Sequence, residues 1–263
     1  MFGDRLHVYP IVIAIFVPLT FTITYILAVT SGHVEPAFPY ISDTGTKPPE
    51  SCVFGQLLNI GAVLAFIIFY IRYRQIRTHY EGAGRTKLLK YNTVTFVMGI
   101  TAALGISLVG NFQETNVIVI HLIGALLAFV VGSIYCWIQT GMSFKMPDLP
   151  GNSVIVCRIR TVISVLTFIF IIMLFIFPTL SNQQAPSWVN VTDNTYWKPG
   201  KPGYGLRLVG TISEWLLALS TVFFLLTFVK EFKFFRMYTP ECMHKDKKIT
   251  NNYNIEQSGS GLP

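Results

Sequence analysis

Residues 8–30 read VYPIVIAIFVPLTFTITYILAVT, a run without one charged side chain. A helix needs about 20 such residues to cross a hydrocarbon core of roughly 30 Å. Comparable runs recur near 53–71, 91–110, 117–138, 158–180 and 206–229. Lipid offers the backbone no hydrogen-bond partner, so each run is expected to be a helix. The alternating polarity of a membrane β-strand is absent. The expected fold is therefore all-α: a polytopic integral membrane protein, a six-helix transmembrane bundle over residues 1–240. A polar, disordered cytosolic tail is expected over 241–263. Composition agrees: the 263 residues are 52% hydrophobic and 13% charged, against about 25% charged in soluble domains. The first run begins where a signal peptide would. It is too long for one, Asp4 offsets Arg5, and no A-x-A site follows, so a retained signal-anchor helix is expected.

Charge orients the bundle. Sixteen of the 20 lysines and arginines fall in the N-terminus, the 72–90 and 139–160 connections and the tail from Lys230. The alternate connections hold Lys47, Lys198, Lys201 and Arg207. The positive-inside rule then predicts that both termini are cytosolic. The sequon Asn190-Val191-Thr192 falls on the opposite side, where glycans are attached, so Asn190 is a candidate N-glycosylation site. Much of the net charge of +7 is this topology signal. A sharper reading makes Arg72, Arg74 and Arg77 a basic cytosolic surface for anionic lipid or an acidic partner. Cys52 has no second cysteine on its side, so no intrachain disulfide is expected there.

Between the first two runs lies SGHVEPAFPYISDTGTKPPESCVFGQLLN, residues 31–59. A connector only has to be polar; this one holds Pro36, Pro39, Pro48 and Pro49 and is stiffened by them, with Gly45 at a turn position. Pro39–Gly45 is expected to cap the bundle near Asn59 and Asn111.

Ionisable groups inside spans are costly and tend to face the bundle interior. Glu214 lies on a small-residue stripe with Gly210, Ala218 and Val222, while Trp215 is expected to turn toward lipid. His121 heads a similar face with Ala125, Ala128 and Gly132. Asn59 and Gln56 give the second span a polar face. Each fits either a polar tie between helices or a group lining a cavity.

No H-E-x-x-H, G-x-S-x-G or phosphate-loop spacing occurs, and one His with one Glu falls short of a metallo-hydrolase's ligand set. No enzyme activity, cofactor, metal or nucleic-acid partner is expected.

The run Pro39, Tyr40, Ile41, Ser42, Asp43, Thr44, Gly45, with Ser31-Gly32-His33-Val34 before it and Pro48-Pro49-Glu50-Ser51 after, resembles the DNA-damage-regulated autophagy modulator (DRAM) and TMEM150 family. Arg72-Tyr73, Asn111-Phe112-Gln113-Glu114, His121 with Gly124 to Phe129, and Glu214-Trp215 follow in the order that family shows. The resemblance implies six spans with cytosolic termini, lysosomal or endosomal membranes, promotion of autophagy and, in some members, a link to cell death. Other relatives act at the plasma membrane with phosphoinositide-kinase factors, the alternative location. The family offers no catalytic residues to carry over. In the tail, neither Tyr238 nor Tyr253 fits a Y-x-x-Φ lysosomal signal, since Glu241 and Glu256 stand three positions after them. The expected function is a non-enzymatic membrane modulator acting through protein or lipid contacts. The alternative is a transporter or channel-like protein with Glu214 in a polar cavity.

Overall fold

A computed structural model describes residues 3–184 and 198–237. Asn190 and the tail from 241 lie outside the described residues. Six helices long and apolar enough to cross a membrane follow one another: α1 (Val8–Thr30), α2 (Glu50–Tyr80), α3 (Thr86–Asn111), α4 (Ile118–Phe144), α5 (Val154–Gln184) and α6 (Tyr204–Leu226). A short helix, α7 (Val229–Phe232), continues α6. Leu126–Val131, in the middle of α4, is wound as a π-helix.

Each helix packs on its neighbour in sequence, and α6 returns to α1, so the bundle is a closed ring. Two seams need glycine. A Cβ at Gly55 on α2 would lie 2.6 Å from the Gly110 carbonyl of α3, and one at Gly105 on α3 would lie 2.6 Å from the Gly124 carbonyl of α4. Without side chains there, backbones approach as lipid-embedded helices do at small-residue contacts. α5 is the most outward helix, with many large apolar side chains exposed, among them Ile155, Val162 and Phe168, as a lipid-facing surface requires.

The helices outrun their apolar runs. α2 extends from Glu50 to Tyr80, well beyond 53–71, with Glu50 on His33 at one end and Arg72 on Glu231 toward the other. One end of the bundle, the loop end, carries residues 31–49, the turn after α3 and the turn before α6. The other, the basic end, carries the α2–α3 and α4–α5 connections and α7.

At the basic end the sequence reading needs a correction. Arg72 is not part of a surface: its side chain is wholly buried. Its guanidinium donates to Glu231 Oε2 at 3.0 Å, Gln75 at 2.8 Å and Gln139 at 3.1 Å. Arg160 donates to the same Glu231 oxygen at 2.6 Å, and the Phe228 ring lies within 5 Å of both guanidiniums. An arginine that cannot lose its charge is sunk here only because a carboxylate meets it. Glu231 lies 159 positions away in sequence, which is why counting charges by segment hides the pair. Arg74 and Arg77 are exposed.

Candidate functional site: the docked motif loop

The PYISDTG motif is folded into the bundle. Ser42–Gly45 form one 3-10 turn, all four residues buried. Inside it, Thr44 donates to the Ile41 carbonyl at 2.7 Å and the Tyr40 amide donates to Asp43 Oδ2 at 3.1 Å. The Ile41 side chain enters a cluster with Phe21, Phe54, Leu58 and Ala218. Gly45 lies against Phe54, and a Cβ there would run into that ring. Phe38, just before, holds a left-handed φ of 57°, a conformation that costs most side chains about 1 kcal/mol. Its ring lies 5.8 Å from that of Trp215.

Three helices bind the motif. From α6, Glu214 Oε2 accepts the Ile41 N–H at 2.7 Å, Arg207 donates to Asp43 Oδ2 at 3.2 Å, and Trp215 Nε1 donates to the Pro39 carbonyl at 3.0 Å. From α1, Thr24 and Thr44 share a hydroxyl contact of 3.1 Å. From α2, Glu50 meets His33 at 2.5 Å and steadies the approach to the motif. The cap expected at Pro39–Gly45 is present, on different supports from those expected. Asn59 and Asn111 instead bond to each other, at 3.2 and 2.9 Å, and clamp α2 to α3. Trp215 packs on the motif and on Phe21, not toward lipid, because its N–H needs an acceptor that lipid lacks.

Charge gathers beneath the loop. Asp43 is 1% exposed. Burial pushes its carboxyl well above the ordinary range, and the neighbouring Glu114 carboxyl raises it further. Arg207 pulls the other way and does not win. A carboxyl so close makes ionising Asp43 costly, so Asp43 is held toward its protonated form. That accounts for Asp43 Oδ1, which is buried without a donor. His121 is beside them: Nδ1 lies 2.8 Å from the Phe112 carbonyl and Nε2 lies 3.8 Å from Glu114. The fold thus brings Glu214 and His121 to one site with the motif and leaves Asn59 outside it. Asp43 and Arg207, both buried, and the half-buried Glu114 form a charge group that joins residues 164 positions apart. Only the paired identities of Asp43 and Arg207, each on the sparsely charged side, hinted at it. Among the described residues no cluster of His, Cys, Asp or Glu could hold a metal ion.

Fold and site together define a polytopic α-helical membrane protein with a structured extramembrane motif. The chain belongs to the family described as Frag1/DRAM/Sfk1/Cwh43P N-terminal domain, whose model matches residues 5–235. It is 38% identical over 233 residues to DNA damage-regulated autophagy modulator protein 2 of Mus musculus, covering 88% of this chain and 85% of that one. To DNA damage-regulated autophagy modulator protein 1 of Homo sapiens it is 37% identical over 213 residues, 81% of this chain and 85% of that one. To the modulator of macroautophagy TMEM150B-A of Xenopus laevis it is 42% identical over 170 residues, 64% and 71% of the two chains. No solved structure matches the chain.

Proposed function

We propose that the chain is a non-enzymatic modulator of autophagy in lysosomal or endosomal membranes, with both termini cytosolic, holding protein or anionic-lipid partners at its basic end. The observation that carries this reading is a division of labour between the ends. Most of the motif's polar groups are engaged in internal bonds, whereas Arg74, Arg77, Arg85, Lys87 and Lys90 are exposed at the other end. A ring of exposed cations beside a membrane suits acidic lipid headgroups or acidic protein surfaces. The autophagy role rests on the names of the relatives, and the cytosolic placement of the basic end on charge counting. The plasma membrane, with phosphoinositide-kinase factors as partners, is the alternative setting.

The test is Arg74→Ala with Arg77→Ala in cells. The expected outcome is lowered autophagic flux with unchanged thermal stability of the purified protein, and unchanged flux would overturn the reading. Glycosidase treatment of the tagged chain should shift its mobility through Asn190 and fix the orientation, and imaging of the same tag distinguishes lysosome from plasma membrane. An aqueous transport path finds little support, because the cavity that reaches Glu214 is walled almost wholly by apolar side chains.

A further inference from the structure

The ring of helices encloses a cavity of about 130 Å³. α1, α2, α3, α4 and α6 all contribute to its wall. His121 and Tyr135, both on α4, line it, and at about 1.5 Å of helix rise per residue they are about 20 Å apart. So small a volume over that length is a narrow tunnel, suited to one hydrocarbon chain. Two glycines on the wall show the free space atom by atom. A Cβ at Gly61 meets only the Phe16 ring, at 3.8 Å, and one at Gly132 meets only the Ala102 methyl, at 3.8 Å. At the helix seams the same addition collides. An engineered apolar cavity of about 150 Å³ stays dry and takes up benzene, so water is not the natural occupant here either.

One end of the tunnel is polar, and its chemistry has a sign. Glu214 lines it with Oε2 held by the Ile41 N–H. Among the described residues Oε1 receives no donor. His121 also lines it. The Phe112 carbonyl can only accept, so His121 Nδ1 donates to it, while Nε2 faces Glu114 at 3.8 Å. Glu114 and Asp43 lie just behind. Arg207, the cation of the group, lies on Asp43 and over the Tyr40 ring, away from the tunnel wall. Carboxyl groups therefore dominate this end of the tunnel. An ammonium donates three hydrogen bonds and accepts none, whereas a carboxylate head would face three carboxyl groups.

We infer that the cavity binds a single-chain lipid amine, its alkyl chain in the tunnel and its ammonium against Glu214. The inference does not depend on the autophagy role, and its test does not read autophagy. The full chain in lipid nanodiscs is photolabelled with a diazirine- and alkyne-bearing long-chain alkylamine, and separately with the fatty alcohol and fatty acid of equal chain length. The amine should label peptides of α1, α2 and α4 about tenfold more than the acid does, a difference of about 1.4 kcal/mol. Untagged alkylamine should compete the label away. Gly61→Leu and Gly132→Leu, which fill the tunnel, should remove the labelling. Glu214→Gln keeps an acceptor for the Ile41 N–H and should weaken the amine while sparing the alcohol. Equal labelling by amine and acid would overturn the inference. So would label on peptides outside the cavity, or labelling that survives either leucine variant in a protein with unchanged elution and melting temperature. The competition and peptide map on the unsubstituted chain decide the matter even if both leucine variants misfold.

Discussion

Both ends of the bundle bury charge, and they do so with opposite balances. At the basic end two arginines share one carboxylate: Arg72, Arg160 and Glu231 are all 0% exposed. At the loop end carboxyls outnumber the guanidinium, with Asp43, Glu114 and Glu214 gathered around Arg207. An arginine excess cannot be relieved by titration, because guanidinium stays charged throughout the working range of pH. A carboxyl excess can be, by taking up protons. One end is therefore a fixed tie and the other an adjustable one, and only the adjustable end borders the cavity.

Removing the carboxylate of the fixed tie should have the largest effect. Glu231→Ala leaves two buried guanidiniums facing each other, a loss of about 3–5 kcal/mol, and the protein should elute as aggregate or melt far below the unsubstituted chain. Arg72→Ala breaks the same tie. It should read as a folding defect, unlike Arg74→Ala, which should change the melting temperature little because Arg74 is exposed.

Next comes the motif's fit. Gly45→Ala drives a methyl into the Phe54 ring, and overpacking of this kind costs about 1–3 kcal/mol. Protease sensitivity between residues 31 and 49 should rise while the basic end stays intact. A loop as resistant to cleavage as before would mean that the motif is not held as described.

The adjustable end should respond to pH. Asp43 in the fold has a raised pKa, so the folded state binds its proton more tightly than the unfolded state does. That stabilisation is full below the ordinary carboxylate value of about 4 and drains away as pH rises through the raised value. Melting temperature in detergent should climb on acidification from neutral pH, and Asp43→Asn, uncharged at every pH, should flatten the profile. A profile unchanged by Asp43→Asn would remove the pair with Glu114 from the account.

The helices were legible because their signal is local: each run of apolar residues meets the span requirement alone. The inward stripe of α6 was legible for the same reason. Gly210, Glu214 and Ala218 repeat at helical spacing, and all three are buried. What stayed hidden was pairing across the ring. Arg72 looks like any juxtamembrane arginine until Glu231 is placed beside it, and Trp215 looks lipid-facing until the Pro39 carbonyl arrives at its N–H. The supports of the motif were misplaced to Asn59 and Asn111 because all share one membrane face. Sequence reports the face and not the position around the ring.

The bond from the Ile41 amide to Glu214 spans 173 positions. A chain still being synthesised cannot make it before the last spanning helix has emerged and closed against the first. Until then the hydrophobic Ile41 and the carboxyl of Asp43 have no home, and the segment 31–49 is open to proteases and chaperones. The motif thereby records whether assembly has finished. A truncated or misthreaded chain would carry the same letters in an undocked loop, and so would display its own incompleteness to the quality-control machinery of the membrane in which it is made.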